Sequence, residues 1–487
     1  MRAQQLLLVA LLPLIQAQET VLGVFVFHRH GDRTSKSWPP ASLTDLGYEQ
    51  VYASGDFYRS RYVSNTSSSP IYGIAANNVK LSQLTVQAPA DNVLQNSAQG
   101  WLQGLYPPVG QNLSTQRLGN GTEVSAPMSG YQLIPVNLVS SPASPSSSSV
   151  SENSAWLQGS SGCLNAIVSS NNYFISDDYM TTLASTNSFY QSILPAINGT
   201  FTSATDTYKN AYTIFDFVHV SEIHNSSLQG ADLLTPAVLS QLQTRADQHE
   251  FNLAYNASDS IRAVAGSTLA AQVVQQLNAT IAGQSASKLG AQFGAYASFL
   301  SFFALAQLPA VSVNFTGIVD YASSMVFELV TNATVSSSSY PSTSDISVRF
   351  LFSNGSAADN PLTAYPLFGQ SSLEVPWPTF VTEMNKFAIG DQASWCKACG
   401  NTTGTCATAT SASPSPSSTS LSSTSSSSNG SGMSKAVAGV IGAMVTLAVI
   451  LGIEALILLL GGLRVVSKKA LARRSTPAAN GDDVVKA

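Results

Sequence analysis

The stretch Val21 to Phe27 constrains this chain most: an almost continuous apolar run, rich in β-branched and aromatic side chains. A half-exposed strand would alternate apolar with polar residues, whereas an unbroken run suits a strand covered on both faces, as in a parallel sheet. The run stops at a polar cluster, His28 to Thr34. Leu43-Thr44 then leads into a helical pattern over Gly47 to Tyr62, with Thr44 placed to cap it. Further helices are expected over Ser97 to Leu105, closed by Tyr106-Pro107-Pro108, and over Ile261 to Leu277, and a strand over Val348 to Phe352. Strand, polar turn and helix in succession predict an α/β fold, with a parallel-sheet core flanked by helices and a helical insertion at about 110–265. In such folds ligands bind beyond the C-terminal ends of the strands, which is where His28 to Thr34 falls.

That cluster reads Phe27-His28-Arg29-His30-Gly31-Asp32-Arg33-Thr34. Cleaving a phosphate monoester needs fixed cations to hold the dianion, and the arginine fork matches phosphate oxygens. It also needs a nucleophile in line with phosphorus, which a neutral imidazole can be. Glycine admits close backbone approach. Arg29, His30, Gly31 and Arg33 supply all of these. His28 is either a pocket residue or a packed strand end. His219 and His224 lie in or beside the Phe/Val-rich segment Ile214 to Ile223 and read as structural.

With this signature in place, the chain resembles the acid phosphatase and phytase branch of the histidine phosphatases, most closely its fungal members. Leu43-Thr44 with Gly47 and Gln50, the block from Ser97-Ala98 to Gly104-Leu105-Tyr106-Pro107-Pro108, Phe327-Glu328-Leu329 and Val348-Arg349-Phe350-Leu351 are similar to further family blocks. The resemblance covers most of residues 20–395. It implies a phosphoglycerate-mutase-like fold, His30 as the phosphorylated nucleophile, and Arg29 and Arg33 as phosphate ligands, with no cofactor and no metal.

Two family elements are altered. An arginine about ten residues before Ser97-Ala98 would add a phosphate ligand, and Gln87 stands there. A late His-Asp pair would add a cationic donor and the acid that protonates the leaving oxygen. The matching stretch, Phe293 to Phe299, carries Tyr296 and Ala297 at those positions, and no His-Asp dipeptide occurs in the chain. A positioned general acid contributes roughly 10²–10⁴-fold, so its loss predicts slow hydrolysis that favours aryl phosphates, whose leaving groups need little protonation. Asp32, Asp91 and Glu222 are candidate substitutes. The alternative is a catalytically inactive surface glycoprotein, a pseudoenzyme that binds phosphorylated ligands or serves a structural role.

The rest of the chain predicts where it works. Met1 to Ala17, with Arg2 before the apolar run Leu6 to Ile15, reads as a signal peptide. The span expected at 435–463 is long enough to cross a bilayer. Arg464, Lys468, Lys469, Arg473 and Arg474 follow it and hold the 464–487 tail in the cytosol, which gives a single-pass type I protein at the cell surface. Glu454 is a cost inside that span, and the polar tail after it argues against a lipid-anchor signal. The ectodomain is expected at 18–400 and a Ser/Thr-rich stalk at 401–434, with a Ser-rich insertion at Ser140 to Ser154. Only 10% of residues are charged, so N-linked sugar is expected to keep the surface wet. Acceptor triplets number about a dozen and include those at Asn65, Asn112, Asn120, Asn198, Asn225, Asn256, Asn278, Asn314, Asn332, Asn354 and Asn401. The net charge of -5 gives no case for nucleic-acid binding. The four cysteines, Cys163, Cys396, Cys399 and Cys406, predict two disulfides with three possible pairings. The expected partner is a phosphorylated small molecule or phosphate.

Overall fold

The apolar run becomes the middle strand of a sheet. The computed structural model describes residues 19–407, apart from 140–161, 226–229, 284–285, 337–338 and 404–405. The expected signal peptide, the Ser-rich insertion, the 435–463 span, the cytoplasmic tail and most of the stalk lie outside the described residues. Contacts divide the chain into Met1–Ser413 and Pro414–Ala487, and every described residue belongs to the first unit. Among the described residues no helix is long and apolar enough to cross a membrane.

Seven strands make the main path of an eight-stranded sheet. They are β1 (Thr20–Arg29), β2 (Leu84–Pro89), β3 (Asn137–Val139), β4 (Leu289–Gly294), β5 (Ser324–Thr331), β6 (Ile346–Ser353) and β7 (Glu374–Pro376). Their spatial order is β7-β6-β5-β1-β4-β2-β3. β1, β4, β2 and β3 run parallel, while β5 lies antiparallel to β1, and β6 and β7 continue antiparallel. The sheet is therefore mixed, which corrects the expectation of a parallel core. The apolar run of β1 reports burial on both faces, and burial does not set the direction of the neighbouring strands.

Helices cover both faces. α1 (Asp45–Tyr58) and α2 (Asn92–Leu105) pack on one side, where Val24, Val26, Val51, Tyr58, Trp101 and Phe293 form a buried cluster. Thr44 caps α1 by accepting from Gly47 N at 3.0 Å. Asp91 caps α2 by accepting from Leu94 N at 2.8 Å. The insertion contributes α3 (Leu164–Asn171), α4 (Asp177–Ile197), α5 (Ala211–His224) and α6 (Pro236–Ala254). Tyr190, Ile193, Ile214, Phe217 and Leu242 give α4, α5 and α6 an apolar core of their own. α7 (Val264–Gly283), α8 (Tyr296–Leu305) and α9 (Trp377–Met384) cover the second face through Phe25, Phe27, Leu269, Phe299, Phe302 and Phe380. α10 (Gln392–Cys399) closes the described region, with disulfides Cys163–Cys399 and Cys396–Cys406. Cys396 and Cys399 thus take different partners, so the Cys-Lys-Ala-Cys stretch is not a redox pair.

Candidate functional site

The site is built where β1 ends. A side chain on Gly31 or Gly47 would collide with backbone of the other segment, Gly47 and Asp32 respectively, so these two glycines let the start of α1 lie against the signature loop. Gln50 Oε1 accepts from Asp32 N at 2.9 Å and Ser97 Oγ from Gly31 N at 3.2 Å. On the other side, Arg29 N donates to Ser323 O and Ala322 N to His30 O, both at 2.8 Å. Ala322 has a φ of 59°, a left-handed conformation costly for a residue with a Cβ. That turn sets Tyr321 over the loop.

His30 is fully buried. Its Nδ1 lies 2.8 Å from Gly31 O. A carbonyl can only accept, so in the neutral ring Nδ1 carries the proton and Nε2 holds the lone pair. An imidazole in this tautomer can attack through Nε2. His28 is different. Its Nδ1 donates to Arg29 O at 2.6 Å, its Nε2 accepts from Ser54 Oγ at 2.8 Å, and its ring packs on Phe293. Burial pushes its pKa down to about 4. Of the two readings of His28, the structure gives the packed strand end.

Arg29 is buried, donates to Val319 O, and lies 4.6 Å over the Tyr321 ring and 5.5 Å over the Tyr296 ring. Its Nε has no hydrogen-bond partner among the described residues. Arg33 is fully buried and committed: it donates to Asp216 Oδ1 at 2.7 Å and to Tyr212 Oη at 3.0 Å. Asp216 also accepts from Ser35 Oγ at 3.0 Å and Lys36 N at 2.9 Å. An internal carboxylate thus sits on an arginine expected to hold phosphate.

Asp216 belongs to α5, and the same helix brings Tyr212, His219 and His224 to the loop. His219 lines a crevice with Arg29, Asp216, Asp320 and Tyr321, which has room for about 20 Å³, one water molecule. The Tyr321 ring lies 5.9 Å from His219 and 5.6 Å from His30. Burial lowers the pKa of His219 and raises that of Tyr321. His224 Nε2 meets Asp32 Oδ2 at 2.6 Å, and Asp32 also accepts from the Thr44 hydroxyl. Reading His219 and His224 as structural missed their position. The available signal was Asp216, an acid flanked by Phe215 and Phe217 in an apolar helical segment, because a buried carboxylate demands a cation. Spacings of four and three residues then put Tyr212, Asp216 and His219 on one helix face.

The remaining candidates separate. Tyr296 opens α8 just past β4, whose Gly294 is level with Arg29. It donates to Glu250 Oε2 at 2.7 Å and packs on Tyr212. Ala297 follows it and lines a neighbouring cavity with Glu250. Gln87 is not brought to the signature. It is level with Gln292 on β4 and lines a cavity against α7, because strand alternation turns it to the sheet face that α7 covers. Asp91 is spent on its helix cap, and Glu222 lies at an outer cavity beside His219. Among the described residues no cluster of His, Cys, Asp and Glu could hold a metal ion.

The model of the histidine phosphatase superfamily (branch 2) matches residues 37–353, starting just past the signature. The chain belongs to this superfamily. No curated protein matches the sequence. Among solved structures, the phytase from Citrobacter braakii is similar at 12% identity and a TM-score of 0.49, covering 78% of this chain and 99% of that one. The phytase from D. castellii is similar at 13% identity and a TM-score of 0.46, covering 80% and 83%. The Bifidobacterium longum multiple inositol polyphosphate phosphatase, in complex with inositol hexasulfate, is similar at 10% and 0.45, covering 77% and 94%.

Proposed function

We propose that this histidine phosphatase hydrolyses phosphate monoesters slowly through a phosphohistidine at His30, as a membrane-anchored acid phosphatase of the cell surface. The observation that carries the reading is the Nδ1 hydrogen bond of His30, which makes Nε2 the nucleophilic nitrogen. In this mechanism Nε2 forms a bond to phosphorus as the bond to the leaving oxygen breaks. Arg29 takes up charge on the phosphoryl oxygens, and water then cleaves the N–P bond. Tyr296 and Ala297 supply no carboxyl acid. His219, half-buried and lining the crevice beside Arg29, is the candidate we assign to the acid step. Its lowered pKa confines its acid form to pH below its ordinary 6.5.

The surface location rests on the sequence: an N-terminal signal, a single type I span, and glycan acceptors. The structure supports the acceptors, since among the described residues the triplet asparagines are exposed except Asn256 and Asn401, which are half-exposed. A second reading, a structural surface member without turnover, is favoured by Asp216 on Arg33 and by the little room left around Tyr321.

The test is hydrolysis of an aryl and an alkyl phosphate by the purified protein between pH 4 and 7, beside His30→Ala. The expected result is aryl hydrolysis abolished by His30→Ala, and an alkyl rate at least 100-fold lower, consistent with a weakened acid step worth roughly 10²–10⁴-fold. Hydrolysis that survives His30→Ala overturns the mechanism. Absence of both hydrolysis and phosphate binding selects the second reading.

A further inference from the structure

A second cavity, of about 350 Å³, lies between β2, β4 and α7 and shares no lining residue with the crevice at Arg29. It is within the size range of small-molecule sites. Its walls are unusual in kind. Gln87 comes from β2, Gln292 from β4, and Gln272, Gln275 and Gln276 from α7, with Phe25 of β1 also lining it. The convergence follows from the register: Phe25 pairs with Gly290, and Gln292 pairs with Gln87. Alternate residues of each strand then face α7. No charged side chain lines the cavity.

Two of the amides are held by backbone carbonyls. Gln275 Nε2 donates to Gly390 O at 2.9 Å, and Gln276 Nε2 to Ser287 O at 3.1 Å, which fixes both side chains at the wall. Gln292 is 1% exposed, and neither its Oε1 nor its Nε2 has a hydrogen-bond partner among the described residues. A buried amide in that state is costly, and a leucine of similar size would fill the place without the cost. The cost is offset when something in the cavity both donates and accepts. A hydroxyl does both, and a glutamine amide offers the matching acceptor and donor side by side. The uncharged wall gives no counter-ion to a phosphate or carboxylate, and Phe25 offers an apolar face to ring C–H groups.

We infer that this cavity is a binding site for a neutral polyhydroxylated ring, a sugar or a cyclitol, independent of the phosphate chemistry at His30. The test is calorimetric titration of the full-length protein with glucose, mannose and myo-inositol, and separately with inorganic phosphate. At least one neutral probe is expected to bind saturably at one site. Gln292→Leu is expected to weaken it at least tenfold, leave the phosphate response unchanged, and melt no lower than wild type. Gln87→Ala and Gln275→Ala, farther from the core, should weaken the same probe, and they decide the matter if Gln292→Leu folds poorly. Absence of binding by all three probes, or binding that these substitutions leave intact, overturns the inference. Whether sugars or myo-inositol respond distinguishes the two sources of the same hydroxyl chemistry.

Discussion

Two buried residues with opposed titration set the acid stability expected of this protein. His28 is neutral in the fold because burial lowers its pKa from 6.5 to about 4. Above pH 6.5 it is neutral in both folded and unfolded chains. As pH falls from 6.5 towards 4 the unfolded chain gains a proton the folded one refuses, and stability is lost. The stability of wild type relative to His28→Gln should therefore drop by about 3 kcal/mol across that window, measured by urea unfolding at each pH. Asp206 acts the other way. Burial raises its pKa from 3.8 to about 7, and neither carboxyl oxygen has a hydrogen-bond partner among the described residues. Its folded form keeps a proton that the unfolded chain releases, so its contribution is lost as pH rises from 4 to 7. Asp206→Asn should raise the melting temperature at pH 7.5 and change it little at pH 4. The two effects offset each other, so the wild-type protein tolerates acid better than His28 alone would allow.

At the scale of elements, α5 decides what the signature loop can do. β1, α1 and α2 place His30 and Arg29, while α5 lays Tyr212, Asp216 and His219 across them and ties Asp32 through His224. The ion pair between Arg33 and Asp216 is buried on both sides. Removing one partner strands a guanidinium that cannot deprotonate, at a cost of about 3–5 kcal/mol. Asp216→Asn should therefore melt well below wild type in phosphate-free buffer. Inorganic phosphate should then restore its melting temperature more than it raises that of wild type, because an external anion can take the place of the carboxylate. An equal phosphate shift in both proteins would show that Asp216 does not compete for the anion site. The turn at Ala322 has the parallel effect of holding Tyr321 near both His30 and His219.

For the whole molecule, the insertion is held to the end of the fold by covalent and polar links. Cys163–Cys399 closes a separation of 236 residues between the start of α3 and the end of α10. Asn165 Nδ2 donates to Ala398 O at 2.8 Å, and Asn401 Nδ2 to Gly162 O at 2.6 Å, beside it. Long closures restrict the unfolded chain most, and losing such a disulfide costs about 2–5 kcal/mol. The Cys163→Ser, Cys399→Ser double variant should lose that much in chemical denaturation. The Cys396→Ser, Cys406→Ser variant opens a closure of only 10 residues and should lose less. If the two lose equally, loop length is not what the disulfides stabilise through.

Local pattern sufficed for whatever depends on neighbours in the chain. The apolar run announced β1 and its burial, Thr44 announced the cap of α1, and the polar residues Arg29, His30 and Gly31 fall at the strand end as the end of that run implied. Tyr296 stands beside Arg29 in the fold because parallel β4 ends level with β1. Strand direction was not legible, since burial on both faces is the same whether a neighbour runs parallel or antiparallel. Gln87 was misplaced because distance along the chain does not say which face of a strand a side chain takes. The pairing of four cysteines, the carboxylate on Arg33, the ring of Tyr321 and the amide-lined cavity join residues far apart in the chain. Such meetings are fixed by packing and register, so only the tertiary structure decided that the Arg-His-Gly loop lies beneath a helix carrying its own anion.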